Sequence, residues 1–156
     1  MISLLKVPEH RLKELLEIDN LYRSIATDGT KSIDKAIIPY NDSNLWLLIC
    51  DQYPDYFFPQ MLIRLIALSD NLFEIHLGIY KNSRSKKDSK SKILCEYLLE
   101  QLKQLFGKNV TLITYIAEHN KHALKLAQAM HFVQLGKTKK TIDNKYNQYI
   151  LMREPN

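Results

Sequence analysis

A chain of 156 residues is one domain's length, long enough to close a hydrophobic core without disulfide or metal staples. With 46% hydrophobic and 25% charged residues, and only four glycines and five prolines, the composition excludes a disordered or collagen-like chain. The net charge of +5 favours anionic ligands, from a phosphorylated cofactor to nucleic acid, without choosing among them.

No run approaches the roughly 18 apolar residues that a membrane span requires. The stretch Met1–Pro8 has neither a basic leader nor a small-residue cleavage site, so it does not read as a signal peptide. Cys50 and Cys95 lie in apolar runs without CxxC or metal-type spacing. Buried, reduced thiols are expected, which suits a cytoplasmic protein.

Taken in chain order, Ile2–Val7 is a candidate first strand. Leu12, Leu15, Leu16, Ile18, Leu21, Tyr22 and Ile25 then recur at helical spacing, with Pro8 placed to open the helix and Asp28-Gly29 to end it. Residues 30–44 read as an irregular connection, and Leu45–Cys50 as a strand. Tyr53–Pro59 is an aromatic loop, since its prolines are incompatible with a central strand. Gln60–Ser69 and Leu72–Tyr80 flank Asp70-Asn71, a good hairpin turn.

From Ser91 the period changes to that of an amphipathic helix reaching Phe106 and stopped by Gly107. Val110–Ile116 is rich in β-branched residues and predicts a strand. His119–His131 predicts a helix, and Phe132–Thr141 with Tyr146–Met152 a closing hairpin turned at Asp143-Asn144-Lys145. Strand–helix–strand crossovers beside hairpins make a mixed sheet with helices on its faces. Neither repeat nor linker interrupts it, so residues 1–156 form a single α/β domain of the α+β type.

Two stretches resemble the GNAT N-acetyltransferases. In Thr114–Phe132 a strand ends, Asn120 opens a helix, Ala123 and Leu126 follow at three-residue steps, and Phe132 begins the next strand. Phe73–Ile79, with its polar loop and the helix from Ser91, is similar to the family's fourth strand, cofactor loop and following helix. The resemblance covers most of the chain from residue 45 onward. It implies a mostly antiparallel sheet of six or seven strands with helices on both faces. It also implies acetyl-CoA as donor and an amine as acceptor.

A loop that feeds a helix N-terminus offers unpaired N–H groups and the positive end of the helix dipole to a pyrophosphate. The family's loop has Arg or Gln, two residues, Gly, one residue, then Gly or Ala. Lys86, Ser89 and Ser91 stand in those places, and a second register puts Arg84 first. Serine lacks glycine's conformational freedom, although Ser91 can cap the helix. Lys86, Lys87 and Lys90 add the charge that would neutralise a pyrophosphate. Backbone groups of Leu77, Gly78 and Ile79 are expected to pair with the pantetheine arm, and Asn120 to stand beside it.

For catalysis the resemblance points to Glu74 as the acidic residue that supports a base. The family's tyrosine acid falls at Ala127 here, and its glycine before phenylalanine at His131. Tyr115, at the end of the fifth strand, is the candidate replacement acid, with Tyr146 and Tyr149 behind it. His119 and His122 are three apart, but a metal site needs further ligands.

Three functions compete at this level. The first is transfer of an acetyl group from acetyl-CoA to an amine. The second is a GNAT-shaped binding or structural protein without chemistry, like the short GNAT-like proteins of tailed bacteriophages, which include virion components. The third is nucleic-acid binding through the Lys-rich loop with Lys137, Lys139 and Lys140, which lacks interleaved aromatics for stacking. Divergence of the fourth and fifth strands around an open slot would favour the first.

Overall fold

The computed structural model describes residues 2–25, 38–83, 90–138 and 147–155. Its strands are β1 (Ile2–Lys6), β2 (Asn44–Gln52), β3 (Phe57–Ser69), β4 (Leu72–Ile79), β5 (Thr111–Ala117), β6 (Val133–Thr138) and β7 (Gln148–Arg153). They form one seven-stranded sheet in the order β1-β2-β3-β4-β5-β7-β6. Every neighbouring pair is antiparallel except β4 with β5, which is parallel. The mixed, mostly antiparallel sheet expected from the sequence is therefore present.

Helices cover both faces. On one, α1 (Glu9–Glu17) and the single turn α2 (Tyr22–Ile25) bring Leu12, Leu16, Leu21 and Ile25 onto Trp46, Leu48 and Leu62 of β2 and β3. On the other, α3 (Lys90–Phe106) sets Leu94, Leu98 and Leu102 against Ile49, Ile63, Phe73 and Ile75, and α4 (Lys121–Ala129) packs Leu124 and Ala127 on Leu151. Strand alternation sorts the sheet between these layers. Phe73 and Ile75 look toward α3, whereas Glu74, His76 and Gly78 look toward α1 and α2.

Three sequence expectations are adjusted. The helix expected over residues 8–25 breaks at Ile18–Asn20, because Asp19 and Asn20 adopt left-handed φ of 54° and 55°. Asn and Asp tolerate that region better than other side chains, and the Asp19 carboxylate anchors the turn by accepting from the Lys81 N–H at 2.7 Å. Leu12 to Ile25 still enter one core across the break.

Second, β3 starts at Phe57 and contains Pro59. Its pairing with β4 ends at Met61, so the proline lies where β3 has only β2 beside it, at a register shift between Ile49 and Cys50. Third, Asn120 caps α4, accepting from the Ala123 N–H at 3.2 Å, so the helix itself runs only from Lys121 to Ala129. The predicted turn at Asp143–Lys145, together with Thr141 and Tyr146, lies outside the described residues.

Candidate active site

The parallel ladder between β4 and β5 is only three pairs long: Leu72 with Thr111, Phe73 with Leu112, and Glu74 with Ile113. Beyond it the strands take different partners. β4 stays on β3 as far as Ile79, and β5 stays on β7 as far as Ala117. The gap between them opens into a cavity of about 340 Å³. Leu98 and Leu99 of α3, Leu126 and Ala127 of α4, and Thr114 to Ala117 of β5 contribute to its walls.

At the fork the Thr114 hydroxyl donates to the Ile75 carbonyl at 2.8 Å. That bond fixes the direction of the peptide groups on β4. Carbonyl and N–H of one strand residue point the same way and alternate along the chain, so those of Ile75, Leu77 and Ile79 are directed to the β5 side. Gly78 behaves differently from expectation. Its peptide belongs to the β3 side, opposite Leu62, and a Cβ there would lie 2.8 Å from Ile25 Cδ1 and 3.1 Å from Leu21. The glycine lets the α1–α2 layer sit close on β4.

On that same face Glu74 and His76 form a pair, with Oε2 and Nε2 3.1 Å apart and both side chains about one-fifth exposed. The Glu74 carboxyl is held below the usual carboxylate range, chiefly by the hydrogen bond from His76 against the opposing effect of burial. The charges of His76 and Arg64 add to this. Arg64 stands opposite His76 on β3; its Nε donates to Asn44 Oδ1 at 2.8 Å and its guanidinium lies over the Trp46 ring. Because Glu74 pairs with Ile113, Tyr115 comes to the level of His76 across the gap. His76 and Tyr115 both line the cavity. The sequence reading singled out Glu74 and Tyr115 but missed His76 and Arg64. The signal for His76 was available, since residues two apart on a strand share a face.

Asn120 also lines the cavity, while serving as the α4 cap. Ala127 lines it too, so the wall carries a methyl group there and no hydroxyl. Ser91 lies in the first turn of α3, one residue after Lys90. Lys90 borders a different cavity, of about 480 Å³, with Asp19, Asp51, Gln60 and Tyr80. Lys86, Lys87 and Ser89, like Arg84, lie outside the described residues.

His131 has φ of 67°, the left-handed conformation that favours glycine. Its N–H donates to Gln128 O at 3.0 Å, and the Phe132 N–H donates to Ala127 O at 3.0 Å. These two bonds are the helix-ending pattern in which a left-handed residue follows the C-cap. Arg153 completes the end of α4 by donating from Nε to Met130 O at 3.0 Å.

Lys137 pairs with Glu118 and lies 5.6 Å from the Tyr149 ring centroid, while Lys139 and Lys140 are outside the described residues. His119 borders the cavity and His122 is exposed; among the described residues no cluster of three metal-ligating side chains occurs. Cys50 and Cys95 are buried on opposite faces of the sheet, and burial pushes the Cys95 thiol up to about 12. No helix among the described residues is long and apolar enough to cross a membrane.

No family model matches the sequence, and no curated protein matches it. Solved structures do. The spermidine N-acetyltransferase from Vibrio cholerae, in complex with CoA and spermine, superposes with a TM-score of 0.74 at 12% identity over 99% of this chain and 95% of that one. An acetyltransferase of the GNAT family from Streptococcus pneumoniae gives 0.66 at 15% identity over the whole of both chains. The ribosomal-protein-S18-alanine N-acetyltransferase from Escherichia coli gives 0.69 at 13% identity over 99% and 94%. These likenesses span full chains, and the fold is that of the GNAT N-acetyltransferases.

Proposed function

We propose that this chain is an N-acyltransferase that moves an acetyl group from acetyl-CoA to a primary amine. The observation that carries the reading is the separation of β4 from β5 after three residue pairs, with a carboxylate–imidazole pair at the fork. A fully zipped pair of strands would have no use for a Thr114 side chain bonded across the fork.

The residues fit a pantetheine arm. An extended amide chain needs a strand edge for its polar groups and apolar walls for its methylenes. The β5-directed peptide of Leu77 provides the edge, and Leu98, Leu99 and Leu126 provide the walls. The N-terminus of the 17-residue α3, with Ser91 in its first turn, favours a pyrophosphate electrostatically. Lys86, Lys87, Ser89 and Lys90 are assigned to the same end by the sequence reading. Acetyl-CoA, when bound, supplies the thioester. The chain supplies position, which is the larger part of catalysis between two bound reactants, and groups that handle protons. In this reading Glu74 on β4 supports the base, and Tyr115, which lines the cavity from β5, is the acid that replaces the tyrosine absent at Ala127. The solved V. cholerae neighbour, with its bound CoA and spermine, supports a donor and amine pair of this kind.

The test is calorimetric titration with acetyl-CoA of the wild type and of a Lys86→Ala/Lys87→Ala/Lys90→Ala variant. Micromolar binding that weakens at least tenfold in the variant is the expected result. Absence of binding at millimolar acetyl-CoA would overturn the reading and leave a GNAT-shaped binding protein.

A further inference from the structure

We infer that the closed end of the β4–β5 cavity is an acyl pocket for an unbranched, uncharged chain longer than acetyl; the inference deepens the acyltransfer reading and rests on it. The cavity does not stop at the fork. Leu112 lies behind the last β4–β5 pair, Glu74 with Ile113, and still lines it, as do Leu98 of α3 and Met130 at the end of α4. All three are buried members of the core cluster under α3, and the partly buried Leu77 and Leu126 pack against the same cluster. Core membership puts their side chains on the α3 side of the sheet, where the cavity lies. Ala127 lines the same space from α4 and belongs to the neighbouring cluster with Leu124 and Leu151. With a methyl group as its whole side chain, it leaves room between the two clusters that a larger residue would close.

Polarity changes along the cavity. His119, Asn120 and Gln148 line it at the wide end, where β5 runs out at Ala117. At the closed end the Thr114 hydroxyl is committed to the Ile75 carbonyl. The Cys95 thiol there stays protonated, since burial pushes it up to about 12. Among the described residues no Lys or Arg lines any part of the cavity.

Direction decides which part of a donor meets which end. An arm whose pyrophosphate sits at the α3 N-terminus, and which follows the Leu77 peptide, runs down the gap from Ile79 toward Ile75. Leu98 lies about 12 Å along α3 from Lys90, at the rise of an α-helix. The polar arm thus takes the wide part and the acyl group the closed, apolar part. Each methylene that leaves water there contributes about fourfold in affinity. A carboxylate on the chain would instead be buried without a partner cation. The cavity of about 340 Å³ must hold the arm as well, which keeps the chain short. Transfer is the same for any chain length: the amine nitrogen gains the acyl carbon, sulfur keeps the electron pair of the broken C–S bond, and one nitrogen proton ends on the thiol.

The test measures calorimetric affinities of the full chain for CoA, acetyl-CoA, butyryl-CoA, hexanoyl-CoA and succinyl-CoA. Butyryl-CoA, with two further methylenes, is expected to bind about tenfold tighter than acetyl-CoA, and succinyl-CoA at least about tenfold more weakly than butyryl-CoA. Ala127→Leu should bring the butyryl-to-acetyl ratio to about one, with thermal unfolding as the check that the variant is folded. Met130→Ala lengthens the space instead of filling it, and should move the optimum toward hexanoyl-CoA. Butyryl-CoA that binds no more than about twofold tighter than acetyl-CoA, or a chain-length preference that neither substitution moves, would overturn the acyl pocket alone. Failure of CoA and of every thioester to bind at millimolar concentration would overturn the acyltransfer reading beneath it.

Discussion

The Thr114 hydroxyl donates to the Ile75 carbonyl at 2.8 Å, one residue past the last β4–β5 pair. A side chain thus takes over where the backbone ladder stops, and it satisfies a half-buried carbonyl that the parting strands would leave unpaired. Thr114→Val keeps the shape and removes the donor. We expect a loss of about 1–2 kcal/mol, the cost of a hydrogen bond whose acceptor stays behind. Thr114→Ser should recover most of it. Urea unfolding midpoints check both, and an unchanged midpoint in Thr114→Val would mean water replaces the hydroxyl at no cost.

At the end of α4, His131 occupies a left-handed position, with φ of 67°, that costs a β-carbon-bearing residue about 1 kcal/mol or more. The side chain is exposed, and the two terminal bonds come from backbone groups that any residue has. His131→Gly is therefore expected to stabilise the fold by about 1 kcal/mol after the entropy glycine adds to the unfolded chain. Thermal unfolding decides it; a lower Tm would show that the imidazole makes a contact worth more than the strain.

Gly78 presents the reverse case. The Cβ of Gly78→Ala would meet Ile25 Cδ1 at 2.8 Å and the Leu21 methyls at 3.1 Å, in a core where both side chains are almost fully buried. Overpacking there should cost about 1–2 kcal/mol. Ile25→Val removes the nearest methyl, so the double variant Gly78→Ala/Ile25→Val should be more stable than the sum of its single changes predicts. Additive midpoints would argue that the helix layer shifts as a unit.

Much of this architecture was legible because it rests on local periodicity. The hairpin at Asp70-Asn71, the Gly107 stop of α3 and the Asn120 cap all follow from turn and cap chemistry within a few residues. The fork was not legible. It depends on where a parallel pairing of strands some 40 residues apart gives out, and nothing in either strand's own sequence marks Glu74 and Ile113 as the last pair. The break at Asp19 was hidden because apolar residues on both sides of it serve one core. At the site, alternation placed Glu74 on a face, but its 3.1 Å pair with His76 was read only from the folded chain. Gly78 looked like part of a cofactor edge and turned out to accommodate Leu21 and Ile25.

The last prediction concerns acid. The Glu74 carboxyl titrates lower in the folded protein than its ordinary value of 4.5, first because His76 donates to it. A depressed folded value means that the unfolded chain binds the proton more readily. The pair's contribution is thus complete above about pH 4.5 and is lost as pH falls through the lower, folded value. Glu74→Gln has no carboxyl to titrate, so its stability should start lower at neutral pH and fall less steeply on acidification. Urea midpoints between about pH 6 and pH 3 for the two proteins should converge toward the acid end. Curves that run parallel through that window would mean that Glu74 gains no net stabilisation from His76, and that the bond between them serves orientation alone.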